Sequence, residues 1–166
     1  MKIISGGQTG VDRAALDVAL KHGIDAGGWC PTGRLDELGR IPDRYPVKEL
    51  ESGGFTERTL RNVKDSDGTV IIYPGKLTGG TEQTVQSCVG QQRPHLLVDA
   101  SRVSGEDAAR LIGEFVRKNK IDVLNVAGPR QSEWAEGYDY AAFALEAFAN
   151  SITSKSTSMS KRRDYS

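Results

Sequence analysis

Along the chain, short apolar runs alternate with stretches of helical spacing. Ile3-Ile4, Val70-Ile71-Ile72-Tyr73, Leu96-Leu97-Val98 and Val123-Leu124-Asn125-Val126 read as strands. Ala108, Leu111, Ile112, Phe115 and Val116 recur at the spacing of one helix face, and Ser104 with Asp107 three residues on predicts a helix start near residue 105. Trp134, Tyr138, Ala141, Leu145 and Phe148 form a second stripe, with Ser132 as its predicted N-cap. Val85, Cys88 and Val89 mark the buried face of a helix after Gly80, and Thr56 to about Ser66 reads as another. The first helix, from Val11 to about His22, is apolar nearly all round, which suits a helix pressed against both a sheet and its neighbours. Strands alternating with helices predict an α/β fold with a parallel sheet.

Two segments break the pattern. From Gly27 to Phe55 the chain holds two Gly-Gly pairs and prolines at 31, 42 and 46 with no stable period, as expected of a functional loop or of an unread element. From Ser151 to Ser166 it is rich in Ser, Thr, Lys and Arg without an apolar face, and is expected to be a flexible polar tail behind a single domain of residues 1–150.

Composition narrows the classes of function. The 166 residues carry 22 basic and 22 acidic side chains, so no net field draws the chain to nucleic acid or to a membrane surface. Cys30 and Cys88 lack metal-ligand spacing, and no structural metal is expected. Nothing reads as a membrane span or a signal peptide, so a soluble cytoplasmic protein is expected.

Three strands end in glycine-rich turns that open helices. These are Ser5-Gly6-Gly7-Gln8-Thr9-Gly10, Leu77-Thr78-Gly79-Gly80-Thr81-Glu82, and Ala127-Gly128-Pro129-Arg130-Gln131-Ser132. In a parallel sheet such turns leave by one edge and can line one crevice, where helix N-termini offer N–H groups to an anion. The first turn lacks the lysine and hydroxyl of a Walker A loop and the spacing of a dinucleotide fingerprint. Gly6, Gly7 and Gly10 with Gln8, Thr9 and Arg13 are therefore candidates for a phosphate site of another kind. So are Thr78, Gly79, Gly80 and Thr81 in the second turn, and Gly128 and Arg130 in the third, where Arg130 is either a phosphate clamp or a solvated surface arginine. In the long loop, Trp29, Arg34, Arg44 and Tyr45 are candidates for stacking on or gripping a planar ligand. Arg58 and Arg61 are expected to pair with Glu57, Asp65 or Asp67. Asp12 serves as a helix cap or as a base, and Glu82 either complements the helix dipole or takes part in chemistry. No Ser–His–Asp or Cys–His set can be assembled.

The run Ser5-Gly6-Gly7-Gln8-Thr9-Gly10-Val11-Asp12-Arg13-Ala14-Ala15-Leu16-Asp17 resembles the opening signature of the molybdenum cofactor carrier proteins. So do Gly28-Trp29-Cys30-Pro31 with Gly33-Arg34, Arg58-Thr59 with Asn62-Val63, Ser66-Asp67-Gly68-Thr69, Thr78-Gly79-Gly80-Thr81 and Asn125-Val126-Ala127-Gly128-Pro129-Arg130. The likeness covers about residues 3–150. It implies a Rossmann-like three-layer α/β domain, a circularly permuted relative of the lysine-decarboxylase-like, cytokinin-activating phosphoribohydrolases. It also implies a nucleotide or molybdopterin ligand and assembly into homodimers or larger oligomers. The hydrolases carry a PGGxGTxxE-type motif, and this chain departs from it. Thr84 stands three residues after Thr81, Glu82 is the nearby acid, and Lys76-Leu77-Thr78 separates Pro74-Gly75 from Gly79-Gly80-Thr81.

The resulting expectation is a carrier or binder of a small phosphorylated ligand, namely molybdenum cofactor, with the turns approaching its phosphate and Trp29 or Arg34 bordering its ring. Two alternatives stand beside it. One is a nucleoside-monophosphate phosphoribohydrolase, an N-glycosidic hydrolase using Asp12 or Glu82; the other is a nucleotide-sensing module.

Overall fold

The computed structural model describes the backbone of residues 1–163 and the side chains of residues 1–154. Its centre is a five-stranded parallel sheet of β1 (Lys2–Ile4), β2 (Asp25–Gly27), β7 (Gly68–Tyr73), β8 (His95–Asp99) and β9 (Val123–Ala127), in the order β2-β1-β9-β7-β8. Helices α1 (Val11–Lys21), α4 (Gly105–Lys118) and α5 (Gly137–Arg163) pack together on one face. Helices α2 (Phe55–Lys64) and α3 (Gly79–Gly90) pair on the other, which makes the three-layer Rossmann-like architecture that the resemblance implies.

Strand alternation divides the core between the two faces. Val70 and Ile72 of β7 join Ile3, Leu124, Ile112, Leu145 and Phe148 beneath α1, α4 and α5. Ile71, one residue out of step, meets Val63 and Cys88 beneath α2 and α3. Helix α1 is buried on two sides: Ala14, Ala15 and Val18 face the main core, while Leu16 belongs to a separate cluster with Cys30, Ile41, Tyr45 and Val47 under the long loop. That second cluster accounts for the all-round apolarity of its sequence.

The aperiodic segment is an unread set of short elements. It holds β3 (Trp29–Cys30) paired with β6 (Lys48–Glu49), and the antiparallel hairpin of β4 (Leu35–Asp36) and β5 (Gly39–Arg40). Two-residue strands leave no period to read. Edge strand β2 is missed for a similar reason, since Asp25-Ala26-Gly27 has no β-branched residue and is a strand through its pairing with β1.

The predicted cap at Ser104 is present, its Oγ accepting from Asp107 N–H at 3.1 Å. The predicted cap at Ser132 is not. Its hydroxyl donates to Glu37, a turn closed by Glu133 and Trp134 N–H on Arg130 O intervenes, and α5 begins at Gly137. Helix α5 runs to Arg163, so the expected tail begins within a helix, and Ile152 packs against the main core. The side chains of residues 155–166, and residues 164–166 altogether, lie outside the described residues.

Candidate functional site

Successive strands are added outward from β1 to β2 on one side and from β7 to β8 on the other, so the sheet order reverses around β9. Such a switch point opens a crevice at the carboxyl ends of the strands. The first and third turns are docked on each other there. Ser5 Oγ donates to Val126 O at 3.0 Å, and Gln131 N–H donates to Thr9 Oγ1 at 3.1 Å. Gly10 makes the approach feasible: its φ is 78°, and a Cβ there would stand 2.6 Å from Pro129 O.

The space inside the crevice, its open mouth and the solvent there included, is about 590 Å³. Gly6, Gln8 and Asp12 line it from the first turn and α1. Gly80, Thr81, Gln83 and Thr84 line it from α3, and Asn125, Gly128, Arg130 and Glu133 from the end of β9 and the turn beyond. Phe55, Arg58, Thr59 and Asn62 of α2 close the remaining side. Gly79 and Gly80 are the first residues of α3, so the helix supplies no carbonyl four residues back for their N–H groups.

Gln8 is 5% exposed. Its Oε1 accepts from Thr9 N–H at 3.0 Å and from Glu37 N–H at 2.9 Å, which settles the orientation of the amide. Nε2 is left buried without a protein partner, in a residue that lines the crevice. Beside it lies a buried ion pair, Arg58 Nη1 to Asp12 Oδ2 at 3.5 Å, with side chains 12% and 8% exposed. Asp12 Oδ2 also accepts from Gln8 N–H at 3.3 Å, and Arg58 donates to Gly6 O at 3.0 Å. Burial pushes the Asp12 carboxyl above the ordinary carboxylate range against the pull of Arg58 and of Gln8 N–H. Burial likewise lowers the Arg58 guanidinium, with Asp12 opposing it and Arg130 adding to it. Arg58 and Arg130 both approach the Phe55 ring, at 5.5 and 5.4 Å from its centroid. Two guanidinium groups thus converge on one aromatic side chain at the crevice, an arrangement that favours an anion between them.

Of the candidate residues, Gly6, Gln8, Gly80, Thr81, Gly128, Arg130 and Asp12 line this crevice together. Others are engaged elsewhere. Thr9, Gly10 and Arg13 line a separate depression beside Glu37, Leu38 and Tyr138. Arg13 Nη2 donates to Gly7 O and Asp36, and its guanidinium lies over Tyr45. Gly7 abuts Ile41 and Val47 of the loop core. Thr78 is the exposed cap residue of α3, Gly79 is exposed beside it, and Glu82 is exposed without lining the crevice.

Trp29 and Arg34 do not border the crevice. Trp29 Nε1–H donates to Asp65 at 2.8 Å, with Arg61 over the ring at 4.4 Å. Arg34 spends its guanidinium on the carbonyls of Ile41, Pro42, Tyr45 and Val47, holding the long loop in shape. Tyr45 is buried, donates to Asp17 and is covered by Arg44, so it presents no free surface to a ring, and Arg44 is exposed but does not line the crevice. Arg61 pairs with Asp65 as expected, whereas Arg58 crosses to Asp12. Phe55, Asn62, Asn125 and Glu133 went unread as site residues. The only local signal for the first two was the amphipathic spacing of α2, which says that a face is buried and not against what. Among the described residues, no cluster of three or more His, Cys, Asp and Glu could hold a metal ion, and no helix is long and apolar enough to cross a membrane.

Residues 3–149 match the model of the circularly permutated YpsA SLOG family. Among solved structures, the chain is similar to the protein from Syntrophus aciditrophicus SB described as "Putative molybdenum carrier protein". Identity is 49%, covering 89% of this chain and 93% of that one, with a TM-score of 0.87. No curated protein matches the chain.

Proposed function

As this chain belongs to the circularly permutated YpsA SLOG family, we propose that its crevice binds a small phosphorylated ligand and that this ligand is molybdenum cofactor, held by its molybdopterin phosphate. The observation that carries the reading is Gln8, a buried residue lining the crevice whose Nε2 has no protein partner. An unmet buried donor costs roughly 1–3 kcal/mol, a cost that an acceptor-rich ligand group removes. Phosphate oxygens supply acceptors only, and Arg58, Arg130 and the first N–H groups of α3 are the complementary donors around the same space. The description of the 49% identical relative as a molybdenum carrier supports the choice of cargo.

Thermal unfolding in the presence of molybdenum cofactor, of inorganic molybdate, and of adenosine and guanosine monophosphates tests the reading. Stabilisation by the cofactor and by neither nucleotide is the expected result. Stabilisation by nucleotides alone overturns the choice of cargo, and stabilisation by molybdate to the same degree as by the cofactor reassigns the site to the bare oxyanion.

Asp12 favours a second reading, N-glycosidic hydrolysis of a nucleotide. Burial raises its carboxyl toward the range where a general acid works, and it lines the crevice, whereas Glu82 does not. Release of free base from a nucleoside monophosphate, lost in Asp12→Asn, would establish it.

A further inference from the structure

The charges lining the crevice balance before any ligand enters. Arg58 faces Asp12, and Arg130 Nε stands 3.8 Å from Glu133. A tetrahedral dianion placed among them needs cationic partners that are already engaged. Arg130 and Glu133 are partly exposed, so water screens their pairing and the pair can adjust. Arg58 and Asp12 are both buried, and their 3.5 Å separation is longer than a charge-assisted hydrogen bond. Asp12 itself has little room to withdraw, since it sits in the first turn of α1 with Oδ2 on Gln8 N–H.

We infer that the ligand's anionic group takes Arg58 from Asp12, and that the Asp12 carboxyl takes up one proton from solvent as it does so, so that the ligand and a proton enter together. The inference rests on the crevice being the anion site proposed above. Its physical basis is that an anion sharing the one arginine that faces a buried carboxylate raises the cost of keeping that carboxylate ionised. Among the neighbours of Asp12, Arg13 also favours its ionised form, as the weakest of the influences on it. Arg13, next on α1, is bound to Asp36, and the α3 residues lining the crevice (Gly80, Thr81, Gln83 and Thr84) carry no titratable group. From the loop after β1, Ser5 and the Gln8 N–H offer hydrogen bonds without charge. Burial already raises the Asp12 carboxyl above its ordinary range, so protonation starts from a favourable position. The protonated carboxyl is then a donor, and Asp12 becomes the residue that matches the site to a doubly charged tetrahedral group.

Calorimetry of the full chain with inorganic molybdate, in buffers of different ionisation enthalpy, counts the protons. Molybdate stays a dianion between about pH 6 and pH 8, so any proton taken up belongs to the protein. Wild-type protein is expected to take up close to one proton per bound anion at the acid end, with affinity falling by up to about tenfold per pH unit above the Asp12 titration. Asp12→Asn is expected to bind without proton uptake and with a flat pH profile. Binding by wild type with no proton uptake, or uptake unchanged in Asp12→Asn, overturns the inference while leaving the anion site in place. Failure of wild type to bind molybdate overturns the anion site, and the inference with it.

Discussion

Glu37 and Gln8 are joined across 29 residues of sequence: the Glu37 N–H donates to Gln8 Oε1 at 2.9 Å. With Thr9 N–H on the same oxygen, this contact fixes the Gln8 amide so that its Nε2 is left buried without a protein partner. The hairpin of β4 and β5, which touches no ligand in this reading, thereby orients a group that does.

Gln8→Glu separates these two roles. The substitution keeps an oxygen for Glu37 and Thr9 N–H but replaces the free donor with a second oxygen bearing negative charge. Anion binding is expected to weaken by about tenfold or more, the scale of a lost hydrogen bond to a charged group. Titration calorimetry with molybdate measures it, and unchanged affinity would remove Gln8 from the site.

Trp29→Phe keeps the ring over which Arg61 lies and deletes the indole donor to Asp65. The expected loss is about 1 kcal/mol in urea unfolding. Ligand affinity is expected to stay within about twofold, because the side chain does not face the crevice. A large loss of affinity at unchanged stability would restore Trp29 as a ligand contact.

At Gly10, alanine is expected to destabilise the fold by about 2–4 kcal/mol, combining the penalty for a left-handed backbone with a Cβ forced against Pro129 O. The first and third turns would separate, so both the unfolding midpoint and anion affinity are expected to fall together. Stability within experimental error of wild type would show that the two turns can yield.

Glu37 supplies a pH test. Burial works against its ionisation, but hydrogen bonds from Ser132 and Thr9, with help from Arg130, outweigh it and hold the carboxyl below its ordinary value. Its folded-state value lies below its unfolded one. The stability it contributes is therefore fully present above the unfolded value of about 4.3 and is lost as pH falls through the folded value. Glu37→Gln cannot titrate. The gap in melting temperature between wild type and Glu37→Gln is expected to shrink as pH is lowered from about 6 to about 3. A gap that stays constant would contradict the assignment.

By itself the sequence determined the alternation of strands and helices, and with it the α/β class. The stripes of α1 and α4, the apolar runs of β7 and β9 and the cap at Ser104 are local signals, because burial of one face imposes a period on residues near each other in the chain. The glycine turns were legible for the same reason, and the motif series placed the chain in its family. Tertiary structure alone decided which side of each turn its donors serve. Gln8 and Thr9 are adjacent, yet Gln8 lines the crevice and keeps an Nε2 without a protein partner, while Thr9 gives its hydroxyl to Glu37. In the sequence Arg34 reads as a grip for a planar ligand and Arg58 as a partner of nearby acids. One binds four carbonyls of its own loop, and the other crosses from α2 to Asp12. Such partners lie tens of residues apart, and which of them meet is set by how the hairpin and α2 pack on the sheet, a contact that leaves no period in the chain.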